Sequence, residues 1–262
     1  MFAKEMVELG NQRSVIRELF EYGNQRAKVV RKQNVFEFSV GNPSGPAPQW
    51  VGDRLQELLD TQSPMALHSY TSAPGDMQVR NAVATDLNHR FGTQYSGENL
   101  YLTAGAAAAL CACFRALTES PTDEFVAIAP YFPEYKCFVE QGAGATLRVA
   151  EADTKEFQID FDQFEQCLNP NTKGVIVNSP NNPSGAVYHL ETVQRLAQLL
   201  ERKSKEYGHP IFIISDEPYR EIVYTEETPF LPNYYKDTLV CYSWSKSLSL
   251  PGERIGYVLV PP

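Results

Sequence analysis

The stretch GVIVNSPNNPSG, Gly174–Gly185, decides the fold. Val175, Ile176 and Val177 run together without polar alternation, and Pro180, Pro183 and Gly185 then stop the run. A short apolar run of this kind reads as a strand buried on both faces, which suits a mainly parallel sheet covered by helices. The prolines and the closing glycine make a rigid turn after it. The same pattern recurs along the chain. Strands are expected near residues 99–104, 124–129, 146–150, 211–215, 238–243 and 255–260, making seven with this one. Helical patterns lie between them. One covers residues 76–92 with Asp76 as N-cap, one follows the first strand over 106–119, and one runs from 190 to a C-cap at Gly208. The fold class is α/β, with right-handed crossovers.

In open α/β sheets, ligands bind outside the carboxyl ends of the strands. The segments expected there are AGAAAAL (104–110), PYFPEY (130–135), PNNPSG (180–185), DEPYR (216–220) and WSKS (244–247). Polar and special residues collect where a site belongs. The first 45 residues differ. They offer one helix over 14–32, a strand-like VFEFSVG (35–41) and the turn NPSGPAP. Residues 1–45 therefore read as an arm and part of a smaller lobe, and residues 46–262 as the main domain.

Composition narrows the function classes. The 262 residues are 43% hydrophobic and 21% charged, an ordinary globular mixture, with a net charge of -9. An acidic chain is a poor nucleic-acid partner, because neutralising phosphates needs clustered Lys and Arg. No apolar run is long enough for a membrane span, and the N-terminus lacks the apolar core of a signal peptide. The five cysteines and four histidines are scattered, with no CxxC pair and no HExxH. Neither a disulfide framework nor a metal site is expected, and small thiols in a reducing cytosol point to a cytoplasmic protein.

Lys246 sits directly after an expected buried strand, flanked by Ser243, Ser245 and Ser247. Alone it has three readings: a solvated charge, the helper of a serine nucleophile in S-x-x-K, or an amine nucleophile of lowered pKa that forms a Schiff base with a carbonyl. The last reading needs partners for a cofactor with an aldehyde, a phosphate and a ring nitrogen. Asp216, at the end of a strand, fits a protonated ring nitrogen, although it also fits the N-cap of a helix beginning DEPYRE. Tyr219 falls three positions later, on the same face of such a helical turn. Arg254 offers a guanidinium fork for phosphate, and the helix after Gly105 offers amides and a favourable dipole. Asn182 lies in the rigid turn, and Phe132 can stack on a flat ring.

Together these residues resemble the class I/II, fold type I, pyridoxal-phosphate-dependent aminotransferases of the aspartate aminotransferase superfamily. The carrying motifs are Asn182-Pro183-Ser184-Gly185, Asp216 with Tyr219, Ser243-Trp244-Ser245-Lys246 and Arg254-Ile255-Gly256-Tyr257, and the resemblance runs from about Val35 to Pro262. It implies the large domain of that fold, the cofactor pyridoxal 5′-phosphate, and amino-group transfer between an L-amino acid and a 2-oxo acid. Lys246 would carry the cofactor as a Schiff base and shuttle the proton. Asp216 would pair with the ring nitrogen. Asn182 and Tyr219 would bond the ring oxygen, and Phe132 would stack on the ring. Ser243, Arg254 and the amides of Ala106 and Ala107 after Gly105 would bind the phosphate, where many relatives add a hydroxyl that this chain lacks. Tyr70 would reach the phosphate of the neighbouring subunit in a homodimer, and Gly41 would leave room for the substrate carboxylate.

Family members continue into a C-terminal small domain bearing an arginine for the substrate carboxylate. That domain is expected to be absent from this chain, so cofactor binding is expected with poor transamination. A carbon–sulfur lyase on the same fold is the alternative outcome. A serine–lysine hydrolase would need S-D-N and K-T-G motifs, which do not occur. A transcription regulator would need a basic N-terminal domain.

Overall fold

The computed structural model describes residues 2, 4–11, 15–36, 38, 41–224 and 227–262. The chain divides into two compact units, Met1–Pro46 and Ala47–Pro262. The first contains α1 (Lys4–Asn11), α2 (Val15–Val30) and a 3-10 turn over Lys32–Asn34. The strand expected over 35–41 is not found in the described part of that stretch. Val35, Phe36, Phe38 and Gly41 are irregular, and Glu37, Ser39 and Val40 lie outside the described residues.

The second unit opens with α3 (Gln49–Thr61) and α4 (Pro64–His68), then α5 (Met77–Phe91). Asp76 caps α5 as expected: its side chain accepts from the amides of Gln78 and Val79 at 2.8 and 3.1 Å, and Gly92 closes the helix in the left-handed region. The order continues β1 (Leu100–Thr103), α6 (Ala106–Leu117), β2 (Glu124–Ile128), α7 (Glu134–Lys136) running into a π-helical segment (Cys137–Ala143), and β3 (Thr146–Ala150). Then come α8 (Phe161–Cys167), β4 (Thr172–Asn178), α9 (Leu190–Tyr207), β5 (Phe212–Asp216), β6 (Thr238–Ser243), α10 (Trp244–Ser247) and β7 (Gly256–Leu259). Gly208 ends α9 with φ 78°.

All seven expected strands form one sheet, in the order β1-β7-β6-β5-β4-β2-β3. The pairings β6/β5, β5/β4, β4/β2 and β2/β3 are parallel, and β7 runs antiparallel to both β1 and β6. The unbroken apolar runs have the expected cause, since both faces are covered. Val126, Val175, Val177 and Ile213 pack with Phe164, Leu196 and Leu200 of α8 and α9. Their chain neighbours Phe125, Ile176 and Ile214 pack the other way, with Leu110 and Phe114 of α6 and with Val139. Each fully buried large apolar side chain contributes about 1.5–3 kcal/mol relative to exposure. A third cluster joins Ala84 and Leu87 of α5 to Leu100, Val240, Tyr257 and Leu259. Two cysteines, Cys113 and Cys241, are buried with sulfurs 3.6 Å apart; the other three are half-buried. Among the described residues no helix is long and apolar enough to cross a membrane.

Candidate active site

Strand register collects the candidate residues at one edge of the sheet. Asn178 pairs with Asp216, and Asp216 with Cys241, so the carboxyl ends of β4, β5 and β6 lie side by side. Ser243 pairs with Gly256, and Gly256 with Thr103. Because β7 is antiparallel, its start meets the ends of β1 and β6, and Arg254, Gly105 and Lys246 come to the same edge.

Asp216 is buried at the end of β5. Its Oδ2 accepts from the Tyr135 hydroxyl at 2.5 Å, and its main-chain oxygen accepts from Asn178 Nδ2 at 2.8 Å. Its Oδ1 is buried without a hydrogen-bond partner. Burial raises its pKa to about 7; the Tyr135 bond pulls it down and Glu217 pushes it up. An orphaned carboxylate oxygen at a strand end is rare enough to call for a ligand.

Asn178 does a second job. Its Oδ1 accepts from the main-chain amide of Asn182 at 2.7 Å, tying the turn to β5. Asn181 builds that turn from within: its Oδ1 accepts from the Ser184 amide at 3.0 Å and the Ser184 hydroxyl at 2.8 Å. Gly185, at φ 74°, supplies the left-handed residue. Asn182 is thus held on a rigid loop beside Asp216.

Lys246 lies in the single turn of α10, half-buried, and burial lowers its pKa. Ser243 is buried as the residue before α10, and the Trp244 amide donates to the Ile255 oxygen at 3.2 Å, holding α10 to the approach of β7. Tyr219 is half-buried. Burial first, and the Asp216 charge second, raise its pKa. The helical turn expected from Asp216 is corrected here. β5 runs through Asp216, and Pro218–Glu221 form a tight turn in which the Ile222 amide donates to the Tyr219 oxygen at 2.8 Å. Glu217 continues toward β6 with its amide on the Cys241 oxygen at 2.9 Å, which keeps the chain extended past Asp216.

The start of α6 forms a cradle. Gly105 has φ 84°, and a Cβ there would stand 2.8 Å from Arg254 Nη2. Ala106 and Ala107 are the first residues of α6, whose amides have no partner within the helix. Arg254, itself at φ 53°, is anchored by Nη1 donating to the Pro251 oxygen at 2.9 Å. Phe132 is half-buried, edge-on to Tyr135 with ring centroids 5.6 Å apart. Tyr70 is fully exposed. Gly41 belongs to the first unit.

Sequence reasoning missed Tyr135, Asn178 and the buried pair Glu217–Arg220. Arg220 binds Glu217 and lies over the rings of Phe91, Phe230 and Tyr242 at 5.1–5.2 Å. Glu217 also accepts from the Ser215 hydroxyl at 2.5 Å. The only local hint was the polarity of Asn178 and Glu217 beside buried strands.

The profile of the family described as "Aminotransferase class I and II" matches residues 33–262. An aspartate aminotransferase from Thermotoga maritima is 31% identical over 89% of this chain and 60% of its own length. A probable N-acetyl-LL-diaminopimelate aminotransferase from Bacillus subtilis is 29% identical over 89% of this chain and 57% of its own. The crystal structure of an amino transferase from Eubacterium rectale superposes with a TM-score of 0.97 at 61% identity, covering all of this chain and 66% of that one. The chain therefore spans about three fifths of the curated relatives it matches. With the sheet, the edge residues and the matched span in agreement, the chain belongs to the class I and II aminotransferase family.

Proposed function

We propose that this chain holds pyridoxal 5′-phosphate at the carboxyl edge of its sheet, for transfer of an amino group between an L-amino acid and a 2-oxo acid. Class I and II aminotransferases depend on that cofactor. The observation that carries the reading is Asp216 Oδ1, a buried oxygen without a partner where a protonated ring nitrogen would satisfy it. The Gly105 cradle fits as well, since only a residue without a Cβ lets the Arg254 guanidinium stand this close to the start of α6, where its charge and the free amides can meet one phosphate.

When bound, the cofactor supplies an electron sink for negative charge at the substrate α-carbon. The residues do the rest. Lys246 is the covalent attachment point, and its lowered pKa keeps more of the amine neutral and able to take and return a proton at the α-carbon. Asp216 holds the proton of the ring nitrogen. Asn182 and Tyr219 hydrogen-bond the ring oxygen, and Phe132 stacks on the ring. Arg254, Ser243 and the amides of Ala106 and Ala107 bind the phosphate. Tyr70 reaches the phosphate of a second subunit, and the exposed apolar residues Trp50, Leu55, Leu59 and Met65 on α3 and α4 support a homodimer.

The test has two steps. Adding the cofactor should give a visible absorbance band that titrates with pH and is absent in Lys246→Ala. An amino acid and a 2-oxo acid should then exchange the amino group, though slowly in this 262-residue chain. Release of ammonia without an acceptor would instead make the protein a lyase, and a band unaffected by Lys246→Ala would overturn the site.

A further inference from the structure

We propose that Tyr135 is a positioning residue: by occupying Oδ2 of Asp216, it presents the other carboxylate oxygen to the ring nitrogen of the cofactor. The inference rests on the cofactor reading above. Nothing in the motifs that carry the family resemblance includes this tyrosine.

Tyr135 is almost wholly buried, and its ring is fixed on two sides. Phe132 meets it edge-on with centroids 5.6 Å apart, and Tyr131 stacks at 6.3 Å. Its hydroxyl therefore has one place to go, Oδ2 of Asp216 at 2.5 Å. It remains a donor there, because burial and the Asp216 charge both hold its proton on. The main-chain oxygen of Asp216 is taken by Asn178 at 2.8 Å. Of the two carboxylate oxygens, Oδ1 alone is without a partner.

A carboxylate with both oxygens free turns about its last torsion and shares its charge between two directions. A charge-assisted bond to one oxygen selects a single orientation and favours the ionised form. The groups around Asp216 act otherwise. Glu217, though bound to Arg220, raises its pKa, and burial does so more strongly. Tyr219 and Cys241 face it as protonated neighbours whose own protons it helps to retain, and Cys113 lies behind Cys241. Tyr135 supplies the pull in the opposite direction.

The experiment compares two probes on the 262-residue chain: pyridoxal 5′-phosphate and its deaza analogue, in which carbon replaces the ring nitrogen. Both present the same aldehyde and phosphate. Tyr135→Phe should weaken the cofactor about tenfold near neutral pH, the worth of a hydrogen bond to a charged group, and leave the analogue within about twofold. As pH rises and Asp216 ionises without help, the deficit should shrink. Equal affinity of variant and wild type for the cofactor overturns the inference. So does an equal loss for both probes, which makes Tyr135 a packing residue only. Should Tyr135→Phe fail to fold, fluorotyrosine at position 135 keeps the ring and strengthens the donor; it should widen the preference for the cofactor over the analogue, and an unchanged ratio overturns the claim. Wild-type protein that binds neither probe refutes the cofactor reading itself, a result distinct from all of these.

Discussion

Asp216 and Arg220 stand four positions apart and carry opposite kinds of burial. Asp216 keeps one oxygen unpartnered, and burial raises its pKa to about 7 from an ordinary 3.8. The folded, cofactor-free chain therefore holds that proton more tightly than the unfolded chain does. The resulting stabilisation is complete below the unfolded value and is lost as pH rises through about 7. Wild-type melting temperature should fall across that window relative to Asp216→Asn, in which the slope disappears; parallel curves for the two proteins would contradict the assignment. Arg220 is buried but matched by Glu217 and by three aromatic rings. Glu217→Gln leaves the guanidinium without its countercharge, which costs about 3–5 kcal/mol. The urea midpoint should drop accordingly with an unchanged m-value, and an unmoved midpoint would refute the structural weight given to the pair.

β7 and the start of α6 are fitted to each other through two glycines. A Cβ on Gly256 would meet the Tyr242 carbonyl oxygen and would stand 2.9–3.0 Å from the Gly105 backbone. Gly256→Ala should destabilise the chain by about 1–3 kcal/mol and weaken phosphate binding with it, as read by thermal melting and cofactor titration. Full stability in that variant would mean that β7 can shift away from the cradle. Elements of this kind were well marked in the sequence. Val175–Val177, Phe125–Ile128 and Ile213–Ile214 announce strands buried on both faces, and Asp76 and Gly208 announce helix ends, because each signal is contained in a few consecutive residues. The antiparallel direction of β7 carries no such signal. Tyr135 reaches Asp216 across 81 positions and Asn178 across 38, so their partners are set by strand order and not by neighbours in the chain. The helical turn at Tyr219 is suggested by local spacing: DEPYRE has the pattern of a helical start, but the bond from Glu217 to β6 makes it a turn.

At the scale of the whole molecule, the proposed cofactor residues fall within Ala47–Pro262, the unit that contains the sheet. Its helices α3 and α4 have no buried residues in the single chain, which suits a surface covered by a second copy. Sedimentation should report about twice the 29.4 kDa of one chain, and a monomer at all concentrations would remove the proposed role of Tyr70. The central claim concerns a bond between one lysine and one cofactor. Borohydride reduction of the cofactor-loaded chain, followed by peptide mass spectrometry, tests it most directly. The expected result is a single pyridoxyl-phosphate adduct on Lys246. An adduct spread over other lysines, or none on Lys246, would contradict it.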